Sequence, residues 1–132
     1  MSLIISALYA SLTALLIVVL AYRVIKLRRK YKIGIGSGGN EELKLADRVH
    51  ANLLENAPIV LLLFMVAENT GLAPVYLHCI GTLWIVARLG HAIGLIQGKG
   101  GYHVGRFWGV LMTWLVIVIL VMVNLAHFIG SL

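Results

Sequence analysis

Arg48, Asn52 and Glu55 are the residues of this chain whose types and spacing best suit chemistry. A helix turns about 100° per residue, so spacing of i, i+4, i+7 gathers them within an arc of about 60°. They belong to the stretch R-V-H-A-N-L-L-E-N-A-P, after which the chain is apolar as far as Glu68. Trp84, Arg88 and His91 repeat the same spacing further on, and Arg106 follows a glycine-rich loop. No Ser-His-Asp set, carboxylate pair or metal-ligand spacing is visible, and Cys79 is the single cysteine, which leaves neither an intrachain disulfide nor a thiol pair for a metal. What remains is anion recognition. Arg48, Arg88 and Arg106, with Lys26 and Arg29 nearby, face only Asp47 and Glu55 as local acids. Arginine grips carboxylates bidentately, so a half-buried surplus of guanidinium groups suits an anionic ligand. Glu55 among them suits a ligand that also carries an ammonium group, such as a small zwitterion with several carboxylates. The competing reading is structural: Glu55 pairs with Arg88 or Arg48, and Asn52 and His91 complete a network between helices. The residues alone leave both readings open.

The elements that must position these side chains are membrane helices. The chain has 132 residues, 61% of them apolar, and a mean hydropathy of +0.96; a soluble domain has about 45–50% apolar residues. The apolar residues fall in four blocks, at about 3–26, 45–67, 75–96 and 107–129, each long enough to cross a bilayer core of roughly 20 residues. The expected fold is therefore all-α, an integral membrane four-helix bundle forming one domain over 1–132. The fourth block, Phe107 to Ile129, carries no formal charge over about 34 Å of helix. The first has no basic residue before it and a basic run after it, so it is expected to remain as a helix rather than be cleaved.

Charge placement sets the expected topology. The net charge is +6, and eight of the eleven Lys and Arg lie between Arg23 and Arg48, with the others at Arg88, Lys99 and Arg106. Two basic clusters separated by apolar spans are a mark of membrane topology rather than of nucleic-acid binding. Four spans put both termini on one side, outside, and both basic loops on the cytoplasmic side of the cell membrane. All the candidate residues then converge on one face. A channel or transporter subunit fits less well, because it calls for polar groups along the bilayer midplane. The G-I-G-S-G-G loop lacks the Lys-Ser/Thr of a phosphate-binding loop and follows a helix rather than a strand, so it reads as a connector. Pro58, two residues beyond the polar stretch, is expected to bend its helix and help open a crevice. His50 and His78 read as structural or interfacial.

R-V-H-A-N-L-L-E-N-A-P resembles the R-x-x-x-N-x-x-E element on the second helix of the membrane-associated proteins in eicosanoid and glutathione metabolism, the MAPEG family. A-R-L-G-H-A-I-G-L is similar to that family's third-helix A-R-x-x-H segment, and R-F-W-G-V-L-M-T-W to the arginine-led fourth helix of its bacterial members. The resemblance covers nearly the whole chain. It implies a homotrimer that binds glutathione as co-substrate between subunits near the cytoplasmic face, with no metal. Arg48, Asn52 and Glu55 would hold its carboxylates, amide and amino group. His91 matches a contact position on the third helix, Arg88 stands in the same segment, and Lys26, Arg28 or Arg29 would supply a first-helix cation. Arg106 would stabilise the thiolate. The implied activity is a glutathione transferase or peroxidase acting on lipophilic electrophiles or lipid hydroperoxides that arrive through membrane lipid. The alternative within the same fold is a non-catalytic scaffold that binds lipid or glutathione. One departure stands out: Leu95, four residues past His91, replaces a tyrosine of the eicosanoid-processing relatives.

Overall fold

The computed structural model describes residues 2–132 as four long helices joined by short loops. They are α1 (Ile4–Tyr31), α2 (Glu41–Asn69), α3 (Pro74–Gln97) and α4 (Val104–Gly130). Each contains one of the expected spans, and all four are long and apolar enough to cross a membrane. The chain is an all-helical, four-span membrane protein. α3 packs most extensively on α4, α1 lies mainly on α2, and α2 touches all three other helices.

Local chemistry sets the helix ends. Lys32 ends α1 in a left-handed conformation, and three basic residues, Arg28, Arg29 and Lys30, occupy the last turn, where the helix dipole favours cations. The Asn40 side chain caps α2 by accepting from the Leu43 N–H at 2.9 Å, with Glu41 and Glu42 in the first turn. Pro74 opens α3 at a position where its missing N–H leaves no bond unmade. Pro58 does not interrupt α2, which runs as one helix from Glu41 to Asn69. A proline removes one hydrogen bond, and the bonds on either side carry the helix through.

The core is apolar along the shared faces, with Leu53, Val60, Phe64, Leu77, Trp84, Val116 and Leu120 almost fully buried. Their outward counterparts, including Leu15, Leu62, Val86 and Val118, are exposed, as a lipid-facing surface requires. Several polar groups inside this core find partners. Thr13 Oγ1 donates to the Tyr9 carbonyl at 2.7 Å and accepts from Trp84 Nε1 at 3.0 Å, which ties α1 to α3. The Tyr9 hydroxyl lies 3.2 Å from His78 Nδ1 and 3.1 Å from Thr82 Oγ1. Beyond Arg106 α4 carries no formal charge, but Asn124 on it donates to the Leu63 carbonyl at 3.0 Å.

The end of the bundle away from the basic loops is closed by Glu68. Its two carboxylate oxygens accept from the free backbone N–H groups of Ile5, at 2.9 Å, and Ser6, at 2.7 Å. The last turn of α2 therefore caps the first turn of α1 across 62 residues or more of sequence. Substituting Glu68→Ala strands two donors in a half-buried setting. The expected loss is about 1–3 kcal/mol, seen as a lower thermal midpoint in detergent, with Glu68→Gln intermediate; an unchanged midpoint in both variants contradicts the cap.

Candidate functional site

Four of the candidate residues, Arg48 and Asn52 on α2, His91 on α3 and Arg106 on α4, meet at the end of the bundle that carries the basic loops, around a cleft of about 340 Å³. That volume lies in the range of small-molecule sites, roughly 300–1,000 Å³. Its walls are Glu41, Lys44, Leu45, Arg48 and Asn52 from α2, His91 and Leu95 from α3, Lys99 and Gly100 from the following loop, and Arg106 from α4. Four cations thus face one acid. The wall beside His91 is apolar at Leu95, so no hydroxyl is offered there.

Arg48 and Glu55 form an ion pair at 3.2 Å along the outer side of α2. Their side chains are 56% and 54% exposed, and a pair in that setting contributes about 0–1 kcal/mol. Glu55 does not line the cleft, because three residues beyond Asn52 the helix has turned it outward. Of the two partners that the structural reading offered Glu55, it pairs with Arg48 and does not meet Arg88. Arg88 is buried, at 2% exposure, behind the cleft wall. Its Nη2 donates to Asn52 Oδ1 at 2.6 Å and lies 3.4 Å from His91 Nδ1, while Nη1 donates to Thr113 Oγ1 at 3.2 Å. The Thr113 hydroxyl in turn donates to the Gly109 carbonyl at 2.8 Å, and the guanidinium lies 5.7 Å from the Trp84 ring centroid. Among the described residues no carboxylate pairs with this buried cation, and its Nε has no partner.

Lys26 and Arg29 are exposed on α1 and do not line the cleft. Arg28 is turned to the glycine-rich connector: it donates to the Gly36 carbonyl at 2.8 Å and pairs with Asp47 at 3.5 Å. That loop offers carbonyls to a cation rather than N–H groups to a phosphate. Arg106 is half-buried and donates to the carbonyls of Gly100 and Gly101, so the α3–α4 loop holds its guanidinium. It also borders a second hollow of about 330 Å³, lined by Tyr102, Phe107, Val110, Leu111 and Trp114 and almost entirely apolar. One cation stands between a polar cleft and a greasy groove.

Close helix contact sets Arg106 there. Gly90 and Gly94 on α3 face Gly105 and Gly109 on α4. A β-carbon on Gly109 would stand 2.6 Å from the His91 nitrogen, and one on Gly94 would collide with the Arg106 backbone. These two G-x-x-x-G patterns, which permit close backbone approach in membranes, were legible in the sequence and passed unread there. So did Lys44, one turn before Arg48. Thr113 carried no signal in sequence: nothing in an apolar span marks the one threonine that meets a cation.

The description "MAPEG family" matches residues 6–126 of the chain. The chain is also 34% identical to inner membrane protein YecN of Escherichia coli K12 over 125 residues, covering 92% of this chain and 90% of that protein. The YecN of an Escherichia coli O6:H1 strain matches to the same extent.

Gly109→Val inserts a branched side chain against the backbone of α3 and must move α4. A loss of about 1–3 kcal/mol is expected, read as a lower thermal midpoint in detergent. An unchanged midpoint would show that the two helices are not in backbone contact at Gly109.

Proposed function

The chain belongs to the MAPEG family, and from that premise we propose that it is a glutathione-dependent transferase or peroxidase of the bacterial inner membrane. The observation that carries the reading is the position of Arg106, shared by a cation-rich cleft and an apolar groove. A charged thiol peptide is at home in the first and a lipophilic electrophile in the second. A scaffold that only bound lipid would have no use for a cation at their junction. The name of the Escherichia coli relatives supports placement in the inner membrane, with the basic loops in the cytosol and both termini outside.

Each residue has a role in this reading. Arg48, Lys44 and Lys99 attract the carboxylates of glutathione, and Asn52 and His91 bond its backbone from the cleft wall. Arg106 favours thiolate over thiol by placing a positive charge near the sulfur, as a neighbouring cation does for any thiol. The thiolate then attacks an electrophilic carbon, forming a C–S bond as the leaving group departs. With a lipid hydroperoxide it attacks the terminal oxygen instead. The O–O bond breaks, a proton converts the departing alkoxide to the alcohol, and a second glutathione reduces the resulting sulfenic acid to give the disulfide and water. The protein supplies proximity and charge, not a nucleophile of its own.

Assembly as a homotrimer completes the proposal. Arg48 and Glu55 are more than half exposed on a membrane helix, where a polar pair calls for cover by another subunit. Glu55, Lys26 and Arg29 stand away from the cleft of their own subunit and are then available to that of a neighbour.

Two substitutions separate chemistry from binding. Arg106→Ala is expected to lower turnover of glutathione with a model aryl halide by about 10²–10³-fold, the scale of losing one transition-state donor, with the glutathione Kd changed far less. Arg48→Ala is expected to raise that Kd by roughly tenfold or more. Steady-state kinetics and calorimetric titration of the detergent-solubilised protein check both. Full turnover in purified Arg106→Ala removes the thiolate assignment, and failure of the wild-type protein to bind glutathione removes the proposal.

A further inference from the structure

Asn52 and His91 can each either donate or accept a hydrogen bond. An amide presents C=O on one side and NH2 on the other, and a neutral imidazole carries its proton on either nitrogen. Which end faces a ligand decides what the ligand must offer. Both residues line the cleft, and both touch Arg88 behind it. A guanidinium has five N–H donors and no acceptor. The Asn52 atom 2.6 Å from Arg88 Nη2 must therefore be the oxygen, whichever way an amide could otherwise be turned. The same argument applies to His91. Its Nδ1 lies 3.4 Å from the same Nη2, which offers it no acceptor, and this contact favours the imidazole proton on Nε2.

We propose that Arg88 is the specificity-determining positioning residue of the cleft, fixing Asn52 and His91 as hydrogen-bond donors toward the ligand. With Oδ1 and Nδ1 turned inward, what they have left to offer is Asn52 Nδ2 and His91 Nε2–H, neither of which has a protein partner among the described residues. Lys44, Arg48, Lys99 and Arg106 are donors by nature, so apart from Glu41 every polar side chain on the wall donates. The cleft selects a ligand rich in acceptors, carboxylates and amide carbonyls above all, and discriminates against one that presents amide N–H groups or hydroxyl hydrogens to Asn52 and His91. Thr113 serves the same end: its own proton is committed to the Gly109 carbonyl, which leaves a lone pair for Arg88 and holds the guanidinium in place. Arg88 does not touch the ligand. It acts through the two residues in front of it.

The consequence for glutathione affinity rests on the function proposed above, whereas the tautomer of His91 does not, and the two are measured separately. In protein labelled with 15N-histidine in detergent, the His91 resonances are those lost in His91→Gln. They are expected to report the proton on Nε2 in the wild-type protein and in Arg88→Lys, which keeps a donor-only cation, and a mixture of tautomers in Arg88→Gln, which can donate or accept. A wild-type proton on Nδ1, or Arg88→Gln with the wild-type tautomer, overturns the proposal. Asn52→Asp preserves an oxygen for Arg88 but removes the donor. It is expected to bind glutathione roughly tenfold or more weakly, the scale of one lost bond to a charged group, with a thermal midpoint no lower than wild type. Asn52→Asp binding as the wild-type protein does also overturns it, and this arm stands even where Arg88→Gln does not fold. Wild-type protein that ignores glutathione while His91 carries its proton on Nε2 removes the proposed function and leaves the role of Arg88 standing.

Discussion

A guanidinium buried in a membrane bundle without a carboxylate is the constraint to which the site answers. Removing one partner from a buried charge is strongly destabilising, and a bundle that only needed to be stable would fill the space with apolar side chains. Here Arg88 is surrounded by neutral acceptors, Asn52, Thr113 and His91, one from each of three elements or turns that meet at the cleft. Its positive charge is spread over them rather than cancelled. The cleft in front is correspondingly short of acids. Glu55, three residues beyond Asn52, is held on the outside of α2 by Arg48.

The rest of the bundle holds that arrangement in place. The glycine contacts between α3 and α4 bring the Arg106 backbone against the helix that bears Arg88 and His91. At the opposite end Glu68 ties α2 to the start of α1, and between the two ends Thr13 and Tyr9 link α1 to α3. The polar groups of this bundle are thus of two kinds. Far from the basic loops, Tyr9, Thr13 and Glu68 are paired within the bundle and serve packing. Nearer the loops, Asn52 and His91 are paired with Arg88 on one side and line the cleft on the other.

Much of the fold was legible in the sequence because hydropathy and charge are one-dimensional signals. Block lengths give the helices, and Lys and Arg placement gives their shared face. Arg48, Asn52, His91 and Arg106 could be gathered by spacing and family likeness, and all four line the cleft. What spacing could not decide was direction within the arc. Asn52 and Glu55 are about 60° apart on a helical wheel, yet one faces α3 and the other faces out, because the boundary between packed and open surface falls between them. Arg88 read as a ligand contact for the same reason, since periodicity places it on the right face without revealing that Asn52 and His91 stand in front of it. Pro58 marked an irregularity in α2, and the helix runs through it without interruption from Glu41 to Asn69.

The account stands or falls on what occupies the cleft. The most direct measurement is a density map of the protein in lipid or detergent, determined with saturating glutathione. Tripeptide density is expected between Arg48, Asn52 and His91, with its sulfur end toward Arg106 and the apolar groove. A cleft left empty under those conditions, or glutathione bound elsewhere on the molecule, contradicts it.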